Sequence, residues 1–473
     1  MSAPVLFHAR VEDALRDGAL RAAVHTATGR LLAGRATALA AFPEADVVRD
    51  HVRAIRAHTI ARLDHYLEQF EANVRARGGH VHWAWDAAEA AALIVAIARQ
   101  HGVRRAVKSK SMVSEEVELN PALEQAGVEV LETDLGEYIV QLAKDHPSHI
   151  VAPVIHRSRE NIARLFQEEL GVGPEEVADV PRMTALARRI LREGFLRADM
   201  GISGGNFGVA DTGSLCICTN EGNGRLTTSV PRVHVALMGV ERVVPTLMDL
   251  DVMLQVLARS ATGQKLTVYS NLVTGPRRRH ADGAAESDGP EHLHIVLVDN
   301  GRSRLLGGEL AEILYCIRCG ACLNTCPVYQ QIGGHAYGSV YPGPVGAVLT
   351  PALHGLVGFD DLPQASSLCG ACREVCPVRI DIPRMLLALR NDTAVEGRTP
   401  LWISFGLTVF RMLATRPALF RRAQALAGAV TRRVARDGWI RRMPGHLALW
   451  TRQRDFPAFA ARTFQAQWEA RRR

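Results

Sequence analysis

The chain has 473 residues, of which 47% are hydrophobic and 22% are charged. This length exceeds the usual size of one hydrophobic core and predicts two or three domains, and the composition excludes a disordered or fibrous chain. The formal net charge is +7, but the segment from Arg398 onward holds sixteen Arg, two Asp and one Glu, so the rest of the chain is net negative. This distribution argues against a nucleic-acid-binding surface spread over the whole molecule.

Residues 1–75 predict a helical N-terminal arm, because apolar residues recur there at three- and four-residue intervals. Between residues 76 and 300, short apolar runs alternate with helical stretches. These runs are HVHWAW, RAVKSK, VEVLET, HIVAPVI, KLTVYSNLV and HLHIVLV. Strands separated by helices indicate an α/β domain with a largely parallel sheet. The Gly-rich segment 199–244 predicts further strands joined by tight turns, and 275–292 predicts an exposed loop.

A cysteine-rich domain is predicted between residues 301 and 397. Seven of the nine cysteines fall there, and reduced thiols in a chain without a secretory signal are available to bind metal. The first motif is an uninterrupted C-x2-C-x2-C-x3-C-P run formed by Cys316, Cys319, Cys322 and Cys326. In such a run three cysteines bind one cubane iron–sulfur cluster and the fourth binds a neighbouring cluster. Zinc is disfavoured, because zinc ribbons pair two short knuckles at longer separations.

The second motif repeats the first with one change at its start, because Ser366 stands at the first ligand position. Crossed ligation predicts a first cluster on Cys316, Cys319, Cys322 and Cys376, and a second on Cys326, Cys369 and Cys372. The second cluster lacks a fourth cysteine. Ser366, water or a partner's side chain could complete it, or it could be a 3Fe-4S cluster.

Two further cysteines, Cys216 and Cys218, lie outside both motifs. Their spacing in the predicted strand LCICTN places them on one face of that strand. Free cysteines of this kind usually behave as small buried hydrophobic residues, and we favour that interpretation over a redox or metal role.

Residues 398–473 predict a basic, helical C-terminal region. Its longest apolar stretch, from Thr399 to Phe410, is too short to span a membrane. The N-terminal sequence MSAPVLFHARVEDALRDGALR has no apolar run, which argues against a secretory signal. We therefore expect a cytoplasmic protein without a transmembrane helix, whose basic region could contact the inner face of the membrane or an acidic partner.

The motifs and their order resemble the LutB family, the iron–sulfur subunits of bacterial L-lactate utilization systems. In the α/β part the resemblance lies in KSKSM at 108–112, ETDLGE at 132–137, HIVAP at 149–153, DTGS at 211–214 and NEGN at 220–223. These stretches are similar to a LUD domain, whose fold is similar to sugar-phosphate isomerase and CoA-transferase domains. The resemblance implies an α/β LUD domain at 76–300, an α-helical ferredoxin-type insert with two 4Fe-4S clusters, and helical segments at both ends.

The resemblance also implies a function, the oxidation of L-lactate to pyruvate in a complex. The partners would be a cysteine-rich, LutA-like subunit, a LutC-like subunit with a second LUD domain, and an electron acceptor. The alternatives are an electron-transfer subunit for another 2-hydroxy acid or for glycerol phosphate, or the lactate dehydrogenase itself. No convincing G-x-G-x-x-G follows a predicted strand, which disfavours catalysis by this chain alone. Nucleic acid is not expected as a partner, because the basic region has no helix-turn-helix or zinc-finger pattern.

Polar and glycine residues of the α/β part could form an anion pocket. Backbone N–H groups of tight turns can approach a carboxylate or phosphate, and lysine side chains can add charge-assisted hydrogen bonds. The predicted pocket comprises Lys108, Lys110, Ser111, Gly204, Gly205, Asn206 and Asn223. The alternative is that these residues only form turns and an exposed surface. No catalytic residue is assigned, and the candidate acid–base groups are His156, Asp211 and Glu221.

Overall fold

The computed structural model describes residues 7–278, 289–452 and 454–472. The chain divides into two compact units, the first ending at Asp392 and the second beginning at Thr393. The first unit contains the parallel sheet and both cysteine motifs, and the second contains the C-terminal helices. The loop predicted at 275–292 lies in large part outside the described residues.

The strands described in the first unit form two sheets. In chain order they are β1 (His80–Ala84), β2 (Arg105–Lys108), β3 (Glu129–Glu132), β4 (Met200–Gly204), β5 (Phe207–Val209), β6 (Ser214–Thr219), β7 (Val233–Gly239), β8 (Val243–Val244), β9 (Tyr269–Val273) and β10 (His292–Val298). Six of them form a parallel sheet in the order β1-β10-β7-β4-β2-β3. The remaining four form a second sheet in the order β8-β5-β6-β9, in which the β5–β6 and β6–β9 pairs are antiparallel. The predicted α/β core with a parallel sheet is confirmed.

The helices of the first unit surround these sheets. In chain order they are α1 (Phe7–Arg16), α2 (Gly18–Ala40), α3 (Ala45–Ala61), α4 (Leu63–Ala76), α5 (Ala87–Gln100), α6 (Met112–Glu116), α7 (Leu119–Gln125), α8 (Leu135–Leu142), α9 (Arg159–Leu170), α10 (Val180–Arg197), α11 (Asn223–Ser229), α12 (Leu247–Ala261), α13 (Ala321–Thr325), α14 (Tyr329–Ile332), α15 (Gly343–His354), α16 (Ala371–Val375) and α17 (Ile382–Val395). The unit boundary falls inside α17. Side-chain caps start several of these helices; Asp86 and Asp134, for example, accept backbone N–H groups at the start of α5 and α8.

The parallel sheet is buried on both faces at its centre. All seven residues of β7 and six of the seven residues of β10 are buried, as the apolar run HLHIVLV would favour for a central strand. After β2 the chain moves outward to β3, and after β4 it moves the opposite way to β7. The strand order therefore reverses between β2 and β4, which is the usual place for a ligand site in such sheets.

The N-terminal helices pack into the first unit. Helix α2 packs against α12, α13 and α14, and α3 packs against α12. The buried guanidinium of Arg56, on α3, donates to the carbonyl oxygens of Val243 at 2.8 Å and Leu314 at 2.9 Å. These helices thus connect the α/β sheets to the cysteine-rich segment, and a separate domain ending at residue 75 stays a prediction.

The prediction of a strand at HIVAPVI is wrong. Residues 148–155 form bends and turns that contact the cysteine-rich segment. The ring nitrogen Nδ1 of His149 accepts the backbone N–H groups of Val151 at 3.0 Å and Ala152 at 3.1 Å. These N–H groups are therefore not available to pair with a neighbouring strand, and Pro153 has no backbone N–H group to donate. The segment 220–223, predicted as a turn, leads directly into α11.

The second unit is mostly helical. It contains α18 (Leu401–Ala414), α19 (Pro417–Val434), β11 (Trp439–Ile440), α20 (Ala448–Thr451), β12 (Phe456–Pro457) and α21 (Phe464–Arg472). Helices α18 and α19 pack together, and the rings of Phe410 and Phe420 meet edge to face at 6.3 Å. Among the residues described, no helix has the length and apolar character needed to cross a membrane.

Candidate iron–sulfur site and adjoining cavity

The first cysteine motif forms a tight turn between a 3-10 helix (Ala311–Tyr315) and α13. The backbone is left-handed at Arg318 (φ 58°) and at Gly320 (φ 76°). This turn brings the backbone N–H of Arg318 to 3.4 Å from Cys316 Sγ, to which it donates. Amide donors of this kind stabilise a ligand thiolate and tune a bound cluster.

The second motif has the same backbone conformation. The left-handed positions recur at Leu368 (φ 56°) and Gly370 (φ 84°), and α16 follows as α13 does in the first motif. The backbone N–H of Leu368 donates to Ser366 Oγ at 3.1 Å. The Ser366 hydroxyl therefore occupies the place that the Cys316 sulfur has in the first motif.

Cysteines of both motifs come together around one small apolar cavity. Cys376, from the end of the second motif, lines this cavity together with Cys316, Cys319 and Cys322. Burial and the neighbouring Cys376 thiol raise the pKa of Cys319 to about 12, and burial raises the pKa of Cys376 to about 11. Thiols crowded into a nonpolar space are unfavourable as free thiolates, and a bound cation removes that penalty.

The other three motif cysteines form a second set. Burial and the neighbouring Cys326 thiol raise the pKa of Cys372 to about 12, and Cys369 acts on it in the same direction. Cys326 and Cys372 are buried, whereas Cys369 is exposed. All of these cysteines are free thiols, so four converging thiols fit one 4Fe-4S cluster and three thiols beside a serine fit a second.

Buried arginines of the α/β side fix the first motif. Arg242 donates to the carbonyl oxygen of Cys316 at 2.7 Å, and Arg56 donates to that of Leu314 at 2.9 Å. Burial lowers the pKa of Arg56 to about 9. These guanidiniums satisfy carbonyl groups that a loop would otherwise leave unpaired in the interior.

Arginines of the N-terminal helices fix the second motif. Arg49 donates to the carbonyl oxygens of Glu374 at 2.5 Å and Cys376 at 2.8 Å, and Arg35 donates to that of Val375 at 2.8 Å. On the opposite side, Arg390 donates to the carbonyl oxygen of Ser366 at 2.8 Å. The loop that ends in Cys376 is therefore held against α2 and α3.

A buried ion-pair network lies behind the first motif. Arg302 pairs with Glu116 at 2.7 Å and with Glu241 at 2.8 Å, and Glu241 also pairs with Arg318 at 3.3 Å. Although burial opposes it, the Arg302 charge lowers the pKa of Glu116 to about 2. Both carboxylates therefore stay ionised, and they position the Arg318 guanidinium over the ring of Tyr341 at 4.7 Å.

A larger cavity, of about 410 Å³, lies at the carboxyl edge of the parallel sheet. The loops that follow β2, β4 and β7 contribute to its wall. Six of the seven predicted anion-pocket residues line it, namely Lys110, Ser111, Gly204, Gly205, Asn206 and Asn223. A side chain at position 205 would collide with Leu215, since an added Cβ would lie 2.5 Å from its Cδ1. The structure thus brings the predicted pocket residues together with one exception.

Lys108 is that exception. It is the last residue of β2, only 1% exposed, and its ammonium pairs with Glu132 at 2.7 Å and Glu115 at 2.5 Å. Against the effect of burial, the buried carboxylate of Glu132 and the half-buried carboxylate of Glu115 raise the pKa of Lys108 above its usual range. Its charge is therefore neutralised inside the domain rather than offered to the cavity.

The three candidate acid–base residues lie in different places. Glu221 lies at the exposed rim of the 410 Å³ cavity, where it accepts the backbone N–H of Leu135 at 3.4 Å. His156 lies elsewhere, with its ring nitrogens 2.8 Å from Ser148 Oγ and 3.1 Å from Asp145 Oδ2. Asp211 is exposed in the turn between β5 and β6. The structure brings only Glu221 to the predicted pocket.

Several residues at the cavity were not predicted from the sequence. They are Ser109, Cys218, Arg242, Arg318, Cys319 and Tyr341. Ser109 directly follows β2, which was a usable signal, but the other five come from distant segments. Cys218 Sγ lies 3.8 Å from Cys216 Sγ; Cys216 is buried, as expected, while Cys218 is half-buried on the cavity wall.

Family models match three consecutive parts of the chain. A LUD domain matches residues 67–298, a 4Fe-4S dicluster domain matches residues 312–380, and the C-terminal domain of lactate utilisation protein B matches residues 395–473. The fold and the cysteine site thus define a LUD-domain protein with a 4Fe-4S dicluster domain. The prediction of 4Fe-4S iron–sulfur clusters as cofactors is confirmed.

Curated relatives match over nearly the whole chain. The lactate utilization protein B of Bacillus pumilus (strain SAFR-032) is 46% identical over 99% of this chain and 98% of its own length. That of Bacillus cereus (strain AH820) is 46% identical over 97% of this chain and 96% of its own length. The chain belongs to the lactate utilization protein B family, as the sequence motifs predicted. A solved structure, a duf162 family protein from Deinococcus radiodurans, covers 50% of this chain and 98% of its own length at 14% identity and a TM-score of 0.27.

Proposed function

We propose that this chain is the iron–sulfur electron-transfer subunit of a complex that oxidises L-lactate to pyruvate. The relatives are named for lactate utilization, and that name supports the substrate. The observation that carries the proposal is the gathering of the seven motif cysteines into two sets within one compact unit. Clusters bound there supply one-electron carriers, and two of them can take the two electrons that leave one lactate.

The ligand assignment is part of this proposal. Cys316, Cys319, Cys322 and Cys376 hold the first cluster, because these four thiols line one cavity. The second cluster is held by Cys326, Cys369 and Cys372. Ser366 completes that second set, because its hydroxyl stands where the first motif has a ligand sulfur.

The surroundings of the two sets perform different tasks. Apolar side chains surround the first set, and buried arginines fix its loop. The second set keeps an exposed cysteine, Cys369, which gives a partner access to it. Electrons would therefore enter at the buried set and leave at the exposed one, toward an acceptor or the cysteine-rich subunit.

The proposal also includes the partners of this chain. They are a cysteine-rich, LutA-like subunit, a LutC-like subunit with a LUD domain, and an electron acceptor. The C-terminal unit exposes Trp402, Phe405 and Phe410 on α18 and carries many arginines, which suits peripheral contact with an anionic membrane. For the LUD domain, the parallel sheet supports a fold of the sugar-phosphate isomerase and CoA-transferase type.

A second candidate function, catalysis of lactate oxidation by this chain, is favoured by one observation. The 410 Å³ cavity includes Cys319 in its wall, so a molecule bound there would lie beside the first set. The test is anaerobic: L-lactate is added to the protein alone and to the protein with its co-purifying partners, and bleaching of the visible cluster absorbance is followed. Bleaching only with partners supports the relay, and bleaching of the isolated chain places catalysis here. Absence of bleaching in both samples, with full reduction by dithionite, would exclude lactate as the donor.

A further inference from the structure

The LUD domain and the first cysteine motif line one cavity, whose wall carries polar groups suited to binding a ligand. The 410 Å³ cavity is lined by Cys319 and Arg318 of the motif and by loops at the carboxyl edge of the sheet. Its volume is that of a small-molecule site, for which the usual range is roughly 300–1,000 Å³. It also lies where the strand order reverses, between β2 and β4.

Three hydrogen-bond donors on this wall have no partner within the described part of the chain. Lys110 makes no hydrogen bond or salt bridge there, in contrast to Lys108 two residues earlier. The Oγ atom of Ser109, a residue that is only 3% exposed, has no hydrogen-bond partner. The Nη1 atom of Arg318 is also buried and unpaired, although Nη2 of the same group contacts Glu241.

The Ser109 and Arg318 atoms are buried without a partner, which is costly, and most such groups in proteins have one. Lys110 is half-buried, and the carboxylates of Asp134, Glu137 and Glu221 act on its charge. Two of these donors are cationic, and burial lowers the pKa of Lys110 because its ammonium is removed from water. An anion bound in the cavity would restore the ammonium's stability and give the donors acceptors. The glycines at 204 and 205 also line the cavity, and an added Cβ at Gly204 would lie 3.1 Å from Ser111 Oγ.

Acceptor groups lie on the same wall. Asp134 accepts the backbone N–H groups of Gly136 and Glu137, and Glu221 accepts that of Leu135, so both carboxylates are fixed in position. Each still has lone pairs available, and both line the cavity. A ligand with an anionic group and a hydroxyl group matches this mixed wall better than a bare anion such as phosphate, which two fixed carboxylates repel.

We propose that this cavity binds a small 2-hydroxycarboxylate, with the ligand carboxylate paired to Lys110 and the first cysteine set beside it. The identity of the acid rests on the proposed function, whereas the existence of the site rests on the cavity and its unpaired donors. An acid bound in this cavity would lie against Cys319 of the first cysteine motif and against the LUD loops that line the same cavity.

The test is isothermal titration of the full-length, cluster-loaded protein with L-lactate, pyruvate and inorganic phosphate under anaerobic conditions. L-lactate should bind more tightly than pyruvate, which lacks the hydroxyl donor, and phosphate should bind more weakly than L-lactate. Lys110→Met should weaken carboxylate binding about tenfold or more, because a charge-assisted hydrogen bond is lost. Lys110→Arg should restore part of the affinity. Lys265→Met removes an exposed lysine and should leave it unchanged.

Each variant is accepted only if its iron content and visible spectrum equal those of the parent, so a folding defect is recognised. Absence of lactate and pyruvate binding by the parent would overturn the site, and so would equal affinities of the parent and Lys110→Met. Tighter binding of phosphate would overturn the ligand class. Failure of the electron relay is a separate result. Carboxylate binding without cluster bleaching in the complex would support the binding site and contradict the relay. Cluster bleaching in the complex without carboxylate binding to this chain would support the relay and contradict the binding site.

Discussion

The two cysteine motifs share one backbone conformation but differ in what surrounds them. Each turns through a left-handed residue and a left-handed glycine, and in each a backbone N–H donates to the first ligand position. The first motif has a sulfur there and is covered by buried groups of the LUD domain. The second has a serine hydroxyl there and exposes Cys369.

This difference separates two requirements of a cluster site. The local turn sets the geometry of the ligands, and it is the same in both motifs. Burial and hydrogen bonding around the ligands set solvent access and reduction potential, and here they are different. We therefore expect the first cluster to be the more stable one and the second to lose iron first.

The largest expected effect is that of removing a thiol from the buried set. Cys319→Ala should abolish the first cluster, remove about half of the bound iron and stop electron flow, because alanine offers no ligand atom in place of the thiolate. Iron and sulfide analysis and lactate-dependent dye reduction by the complex measure this. Cys218→Ala changes a cysteine outside the motifs and should leave the iron content unchanged. Unaltered iron and turnover in Cys319→Ala would refute the ligand assignment.

The next largest effect is expected when the second motif receives a cysteine at the position where the first motif has one. Ser366→Cys should raise iron occupancy and change the electron paramagnetic resonance signal of the second cluster, because a thiolate replaces a weaker oxygen ligand in the same position. Ser229→Cys adds a thiol on α11, outside both motifs, and should change neither. If the iron content and spectrum of Ser366→Cys equal those of the parent, position 366 is not beside the second cluster.

The sequence predicts the cysteine sets better than it predicts the cavity. Ligand spacing is a local property of a tight turn, so the four-cysteine run and its variant at Ser366 can be recognised without a fold. The LUD loops are recognisable by their motifs, and six of seven predicted residues meet at one cavity. Arg242 and Arg318 reach that cavity from distant segments, and nothing in their local sequence indicates it.

Two errors have a clear physical cause. Lys108 and Lys110 are equivalent in sequence, but β2 ends at Lys108, which pairs in register with Glu132 of β3. Only that parallel pairing shows that its charge is neutralised. At HIVAPVI the apolar run suggests a strand, yet the ring of His149 accepts the backbone N–H groups that a ladder would need.

A smaller effect is expected when the hydrogen bonds that hold the second motif are removed. Arg49→Ala removes donors to the carbonyl oxygens of Glu374 and Cys376, and should lower the free energy of unfolding by about 2 kcal/mol. Because Cys376 belongs to the first set, iron release by a chelator should also become faster. Arg30→Ala changes an exposed arginine of α2 and serves as the control for both measurements. Equal release rates in the two variants would mean that the N-terminal helices do not support the site.

The smallest effect concerns the loop that covers the first motif. Burial and the nearby Lys110 lower the pKa of His149 to about 3. The Nε2 atom of His149 lies 3.1 Å from Oδ1 of Asn324, a residue that stands between Cys322 and Cys326 in the sequence. The unfolded chain protonates this ring near pH 6.5 while the folded chain keeps it neutral, so the unfolded state binds more protons below pH 6.5. Stability from this group is therefore complete above that pH and falls as the pH decreases toward 3. Between pH 7 and pH 6 the loss should be about 0.7 kcal/mol.

Urea unfolding of the anaerobic protein at pH 7 and pH 6 measures this loss for the parent, for His149→Gln and for His51→Gln, which changes an exposed ring. His149→Gln should reduce the difference between the two pH values by about 0.7 kcal/mol, and His51→Gln should retain the difference of the parent. A difference remains in His149→Gln because burial also lowers the pKa of His234 to about 4 and that of His294 to about 3. A pH dependence in His149→Gln as large as that of the parent would assign it to other groups and remove the proposed link between this loop and the first motif.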